Sequence, residues 1–371
     1  MKVIMPFWHL ELFPRYEPQL TAIAENLESL TLLYIDGTPK KAKNIEYQQV
    51  ETTTKIPRKL TMNHLVSTLD KQIEQKHDLV YSQSGRWQQI AGHKLSQKLG
   101  IPHIIRLRGD DTSVTENFSF FKKLTYDLWY KKRIHESWLY ASKIIPIANH
   151  LIDSLPYDID YRKVTNPIPN GVNTDKFNYT EPPTTPTIGY VGRISPEKGS
   201  DFLYTLINDT PQTRYLLAGP IQTEWNAPLN ATLLGMIPYA EIQKIYQASN
   251  IILLPSRSEG WPNTLLEAYA SGRPVIITPE GIPDECELYG YKHNLYLGTW
   301  IQTISNLKYK RLKEIGLEAR EYAKQFSWEE YGARMVKHFE ETLKTPETQP
   351  QGINIYTSIT NYTVTKGEKV N

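Results

Sequence analysis

"NIILLPSRSEGWPNTLLEAYASGRPVIIT", residues 250–278, decides the fold. Two apolar runs of strand length flank a polar turn and a helical pattern. That is the mark of a βαβ unit whose strands are buried on both faces. The expected order is strand NIILLP, turn SRSEG, a helix from about 262 to 271, and strand PVIIT. Pro262 suits the first helical position, where its missing N–H would be unpaired anyway, and Gly272 suits the helix stop. The helix then opens at the carboxyl end of a strand, where free N–H groups and the dipole favour an anion. Gly260 reads as clearance for the backbone to approach that ligand. Two acids, Glu259 and Glu267, stand eight positions apart. Along a helix this is a rise of ~12 Å, too far to share a proton as a close dyad. They read instead as acceptors for two hydroxyl-bearing ends of one ligand with an anionic middle.

Countercharge for that anion is expected in "GYVGRISPEKG", residues 189–199. A strand ends at Gly192, and Arg193 and Lys198 follow. Arginine grips a phosphate through two N–H bonds and lysine adds a point charge. A nucleoside diphosphate sugar has the matching layout of sugar hydroxyls, diphosphate and ribose hydroxyls. Stabilising a departing diphosphate in a dry cleft would be the main catalytic effect, with one such contact worth ~3 kcal/mol.

Outward from this core the same alternation recurs. Toward the N-terminus the strand-like runs are KVIMPF, LTLLYI, DLVYS, HIIRL and KIIPIA, with EPQLTAIAENLES and RWQQIAGHKLSQKLG as helical segments between them. The pattern breaks in the proline-rich 155–185 and restarts with TIGYVG, RYLLAG and ATLLGM. The fold class expected is α/β, two Rossmann-like domains facing each other across a cleft. The expected boundaries are 1–165, 166–330, a C-terminal helix at 331–345 that packs back toward the first domain, and an extension or tail at 346–371. Residues from about 312 to 344 read as helical in period.

Composition narrows the class of function. The chain has 371 residues, 40% hydrophobic and 22% charged, with a net charge of +2. This is a globular balance, too nearly neutral to point to nucleic acid. The single cysteine, Cys286, excludes an internal disulfide and reads as a small buried hydrophobe. No run reaches the ~20 apolar residues of a membrane helix, and the first residues read as a strand and loop with no leader. A cytoplasmic location, at the inner face of the membrane as its furthest extension, is the expectation.

Residues 259–267 match the E-x7-E motif of the family 4 retaining glycosyltransferases, which have the GT-B fold. The resemblance extends through "ASKIIPIANHLIDSL", "IPNGVNTDKF", the Arg/Lys turn, "LLGMIPYAEIQKIYQASNIILLPSRSEGWPNTLLEAYASGRPVI" and "FSWEEYGARMVKHFEETL", covering about 140–344. It implies that Glu259 holds a hydroxyl of the donor sugar and Glu267 the ribose. Arg193 and Lys198 would bind the diphosphate with N–H groups near Asn263, Thr264 and Leu265. Gly192 ends the strand beneath them, and the backbone of Met236 or Ile237 lies beside the base. The family keeps the anomeric configuration, needs no protein-bound metal or other cofactor, and lets the leaving phosphate help deprotonate the acceptor. The implied acceptor is a glycan or a lipid- or protein-linked acceptor, bound by the N-terminal half.

That half departs from the family's pattern. Many members have a glycine-rich loop after the first strand; here Phe7, Trp8 and Phe13 occupy the region. Tyr81 and Gln83 stand where members often carry histidines, and Arg108-Gly109-Asp110 replaces a His-Gly before an aspartate. Trp8, Gln83, Arg108 and Asp110 are therefore the candidate contacts to the donor sugar or the acceptor.

Two other features admit competing readings. "DID", 158–160, looks like a metal-binding Asp-x-Asp but lies in the inter-domain stretch, so no metal is expected there. The basic-aromatic stretch 120–140 reads either as a membrane-surface helix or, preferably, as the last helix of the first domain with a solvated face. Other activities on the same plan are a nucleotide-sugar epimerase, which would need no acceptor, a phosphorylase, which would need pyridoxal phosphate, and a non-catalytic nucleotide-sugar or glycan binder.

Overall fold

The computed structural model describes residues 1–10, 13–50, 76–83, 86–109 and 130–344, the side chains of residues 8, 15 and 86 excepted. Two six-stranded parallel sheets carry the fold. The first contains β1 (Lys2–His9), β2 (Ser29–Asp36), β3 (Ile45–Gln49), β4 (Leu79–Gln83), β5 (His103–Leu107) and β6 (Lys143–Pro146). The second contains β7 (Thr187–Val191), β8 (Arg214–Ala218), β9 (Ala231–Leu233), β10 (Ile251–Leu254), β11 (Val275–Ile277) and β12 (Gly290–Lys292). Their orders are β3-β2-β1-β4-β5-β6 and β12-β11-β10-β7-β8-β9. Numbered within each half, both are 3-2-1-4-5-6, the doubly wound Rossmann order, so the α/β two-domain expectation holds. Each sheet has one switch point, between β1 and β4 and between β7 and β10.

The central strands form for the reason anticipated. All residues of β4, β5 and β10 are buried, as β-branched and leucine-rich strands covered on both faces must be. The edge strands β3 and β12 had no apolar run to announce them. Only Ile45 is buried in β3 and none of β12 is, so neither of these edge strands needs an apolar run.

The helices bring two refinements. The stretch from 312 to 344 is two helices, α8 (Tyr309–Ala323) and α9 (Trp328–Lys344), not one. The break has a local cause: the Ser327 hydroxyl accepts the Glu330 N–H at 3.0 Å, the serine half of a capping box in "SWEE". The face of α9 that carries Tyr331, Met335, Val336 and Phe339 is buried with residues of α1 (Phe13–Ala24) and the first sheet. Each such side chain contributes roughly 2 kcal/mol, and Gln19 donates to the Tyr331 hydroxyl at 2.9 Å. The chain's last described helix thus returns to the first domain.

The stretch at 132–139 is α3 in this numbering, after α2 (Arg86–Leu99). Its Ile134 and Trp138 are buried in the core and Lys132 is exposed. The apolar face is therefore spent on packing. Residues 120–129 and the 346–371 tail lie outside the described residues. Among the described residues no helix is long and apolar enough to cross a membrane.

Candidate active site

The motif helix α6 (Asn263–Ala270), which follows α4 (Ser200–Asn208) and α5 (Gln243–Gln247), starts one residue later than expected. Pro262 is its extended cap residue. The stop is as read: Gly272 has φ +68°, its N–H donates to Tyr269 and the Arg273 N–H to Ala268. These two bonds are the Schellman arrangement that only a left-handed residue closes easily.

At the carboxyl ends of β7 and β10 lies a cavity of about 320 Å³. Gly192, Arg193, Lys198, Glu259, Gly260, Asn263 and Thr264 all line it, and Tyr16, Arg108 and Gly109 reach it from the first domain. Three cations, Arg108, Arg193 and Lys198, face it with one carboxylate, Glu259. The N–H groups of Asn263 and Thr264 donate to no other group among the described residues, so the helix N-terminus adds its positive end. Leu265 does not join them, because its N–H is held by the Pro262 carbonyl at 3.1 Å and its side chain is fully buried.

Glu259 is tied down from two sides. Lys198 Nζ lies 2.6 Å from its Oε1, and the Ser256 hydroxyl donates to the same oxygen at 2.8 Å. Both charged side chains are less than one-fifth exposed. Oε2 has no partner among the described residues and remains available as an acceptor. Arg193 pairs with Glu197 at 3.1 Å on a more open part of the rim. Its carbonyl accepts from the Tyr190 hydroxyl, whose pKa burial raises.

Gly260, on the cavity wall, also gives clearance to a neighbour that the sequence did not suggest. A Cβ there would run into the Arg108 carbonyl of the first domain. The glycine therefore lets the two domains touch at the mouth of the cavity. Arg108 donates to Gln83 Oε1 at 3.2 Å and lies over the Tyr16 ring at 4.9 Å. Gln83 is itself buried and stands behind the arginine, not on the cavity wall. The Trp8 side chain and Asp110 lie outside the described residues.

Glu267 is buried away from this cavity and accepts from the Tyr246 hydroxyl at 2.6 Å. Its surroundings are aromatic: the Tyr239 ring carries Lys176 Nζ at 3.1 Å. Burial lowers the Lys176 pKa, and the Glu267 charge opposes that effect. Burial, with Glu267 as second cause, raises the hydroxyl pKa of Tyr239 and Tyr246. Met236 and Ile237 lie on the turn after β9, the first exposed and the second half-buried.

The inter-domain acids are each paired with a basic side chain. Asp158 pairs with His135 at 2.8 Å and Asp160 with Arg162 at 2.8 Å, which holds the Asp160 pKa down at about 2. Cys286 is buried, and burial pushes its thiol up to about 12.

Several residues at the site had no sequence signal. Ser256 read only as the start of the SRSEG turn, Tyr190 as part of a strand, and Tyr16 as a residue before the first helical segment of the other domain. Asn170 stood in the quoted "IPNGV" segment without a role. Its Nδ2 donates to Asn263 Oδ1 at 2.6 Å.

Comparison with known proteins agrees with this geometry. The family described as "Glycosyl transferases group 1" matches residues 185–295. An uncharacterised glycosyltransferase of Methanocaldococcus jannaschii is 26% identical over 92% of this chain and 98% of its own. Mannosylfructose-phosphate synthase of Agrobacterium fabrum is 27% identical over 65% of this chain and 63% of its own. The solved sucrose-phosphate synthase of Thermosynechococcus elongatus superposes with a TM-score of 0.73 at 17% identity, covering 92% of this chain and 98% of that one. Anabaena HepE, solved with UDP and glucose, gives 0.67 at 15% identity, covering 92% of this chain and all of that one. The chain has the GT-B fold, and its residues 185–295 match the family of group 1 glycosyl transferases.

Proposed function

We propose that this protein moves a sugar from a nucleoside diphosphate sugar to a glycan, lipid-linked or protein-linked acceptor with retention of anomeric configuration. The observation that carries the proposal is the cavity at the second switch point. Three cations and an open helix N-terminus surround it with one carboxylate held at its edge. Such a site favours a diphosphate over a neutral sugar or a cation. A neighbour of the same fold solved with UDP and glucose supports the same ligand class.

In this mechanism Lys198 and Arg193 take up the charge that grows on the departing diphosphate, together with the N–H groups of Asn263 and Thr264. Glu259 Oε2 accepts from a hydroxyl of the donor sugar, its other oxygen fixed by Lys198 and Ser256. Glu267 receives the ribose hydroxyls from the far side of α6. The acceptor enters from the first domain, past Tyr16 and Arg108, and gives its proton to the leaving phosphate. No nucleophile on the protein and no resident cofactor or metal is required by this route. Under this reading the protein acts in the cytoplasm or at the inner face of the membrane.

A thermal-shift panel of UDP-, GDP-, ADP- and TDP-sugars tests the donor class, and the expected result is stabilisation by one of them. Glu259→Gln should leave the melting temperature intact and abolish transfer. NMR of the product should show the donor's own anomeric configuration. Undiminished turnover in the Gln variant would sink the proposal, and an inverted product would remove its retaining part.

A further inference from the structure

A buried arginine stands outside the mechanism. Arg106, on β5 in the first sheet, is fully buried, and no carboxylate pairs with it among the described residues. Its guanidinium donates to the Ile168 carbonyl at 3.0 Å and to Asn170 Oδ1 at 3.1 Å. It also meets Met335 Sδ at 3.3 Å and lies over the Tyr331 ring at 4.7 Å. Asn170 is 2% exposed and passes the contact on to Asn263, the first residue of α6 and part of the cavity wall.

The direction of this chain is forced. A guanidinium has donors only, so the Asn170 carbonyl oxygen must face it. The Asn170 amide nitrogen must then face Asn263, and the Asn263 oxygen must face back. That leaves the Asn263 Nδ2, which has no partner among the described residues, directed away from Asn170 on the cavity side. We infer that Arg106 and Asn170 are positioning residues that fix the amide of Asn263 so that it offers N–H and not C=O to the diphosphate. A buried charge is costly without an ionised partner. Here it gives a polarity that a neutral donor-acceptor group could not impose, since such a group could reverse together with both amides. The inference rests on the sugar-transfer reading for the identity of the anion.

Asn170→Asp is the discriminating variant. The carboxylate keeps the shape and gives Arg106 an ionic partner, so stability is expected to be unchanged or higher. It has no N–H for Asn263, whose amide must turn over and aim its oxygen at the anion. A role in packing alone predicts no loss of affinity in a variant that is as stable as the parent. The measurement is the Kd by calorimetry for whichever of UDP, GDP, ADP or TDP binds the wild type best, beside the melting temperature. Asn170→Asp should weaken binding about tenfold or more. In an Asn263→Ala background the same change should alter Kd less than about twofold, because the relayed group is gone. An unchanged Kd in the single variant overturns the relay. So does an equal loss in the Ala background, which would mark a through-space charge effect. If the wild type binds none of the four, the sugar-transfer reading falls and this inference with it. Wild-type binding with an unaffected Asn170→Asp removes the relay alone.

Discussion

The two sheets share one strand order, yet their switch-point crevices hold different things. In the second domain the turn after β7 is Gly192-Arg193, with Lys198 six residues past Gly192, and the helix after β10 opens on the same space. In the first domain rings of β1, α1 and β3 pack on one another. Phe7 meets Phe13 at 6.2 Å and Tyr16 at 5.9 Å, and Phe13 meets Tyr47 at 5.9 Å, all edge to face. Strand order places a crevice, and the first residues beyond each strand decide its occupant. One crevice is lined by three cations and an open helix N-terminus. In the other, the described rings pack on one another, and Tyr16 also lines its neighbour's cavity.

The comparison can be broken most sharply at Lys198. Lys198→Ala removes the cation nearest the expected leaving group and strands Glu259. Turnover should fall by about 10²–10³-fold with the fold intact, a loss of one preorganised charge contact. Steady-state kinetics with the donor found by the thermal-shift panel would read it. A small effect would mean that the second crevice is not where charge develops.

Phe13→Ala tests the opposite crevice. It should cost about 3–5 kcal/mol of stability, as a fully buried ring does, and leave nucleoside diphosphate affinity within about twofold. Denaturant unfolding and calorimetry on the same sample would separate the two. A large loss of affinity would mean that the first crevice shares the nucleotide.

Acid should loosen the first domain selectively. Burial lowers His103 to about 3 and His93, behind the same sheet, to about 4, from an ordinary value of 6.5. Both rings fold in their neutral form, so the unfolded chain binds more protons below pH 6.5. Their contribution is complete above that pH and is lost as pH falls through it. For His103 the loss by pH 4 is up to about 3 kcal/mol. Hydrogen exchange should show β4 and β5 opening before β7 and β10 as the pH drops, with His103→Asn flattening the difference. Equal opening of both sheets would contradict it.

The smallest expected effect sharpens the contact between the halves. Gly260→Ala forces a methyl against the Arg108 carbonyl and should push the domains apart at the cavity mouth. Transfer should fall about tenfold, since misplaced groups lose oriented-encounter catalysis. Nucleotide binding, which the proposed route assigns to the second domain, should change little. An unchanged kcat would show that the contact is incidental.

Much of this was legible in the sequence because the signals are local. The run NIILLP could only be a strand buried on both faces, Gly272 the left-handed stop and Pro262 the helix start to within one residue. Arg193 and Lys198 were visible as cations after a strand. The break before α9 was also written locally, in Ser327 and Glu330, but periodicity across 312–344 hid it. β3 and β12 escaped because these two edge strands carry no apolar run.

The sequence by itself determined the alternation of strands and helices, the two-domain α/β class and the pattern of acids, cations and glycine at one turn. These follow from periodicity, backbone preference and charge, which act over a few residues. Only the tertiary structure decided that Gly260 makes room for Arg108, that Leu265's N–H is already taken, and that Gln83 stands behind an arginine. It alone joined Arg106 through Asn170 to Asn263, residues drawn from 106 to 263 along the chain. Hydrogen-bond direction and close contact between distant segments depend on how the two sheets are set against each other, and no short window of sequence holds that information.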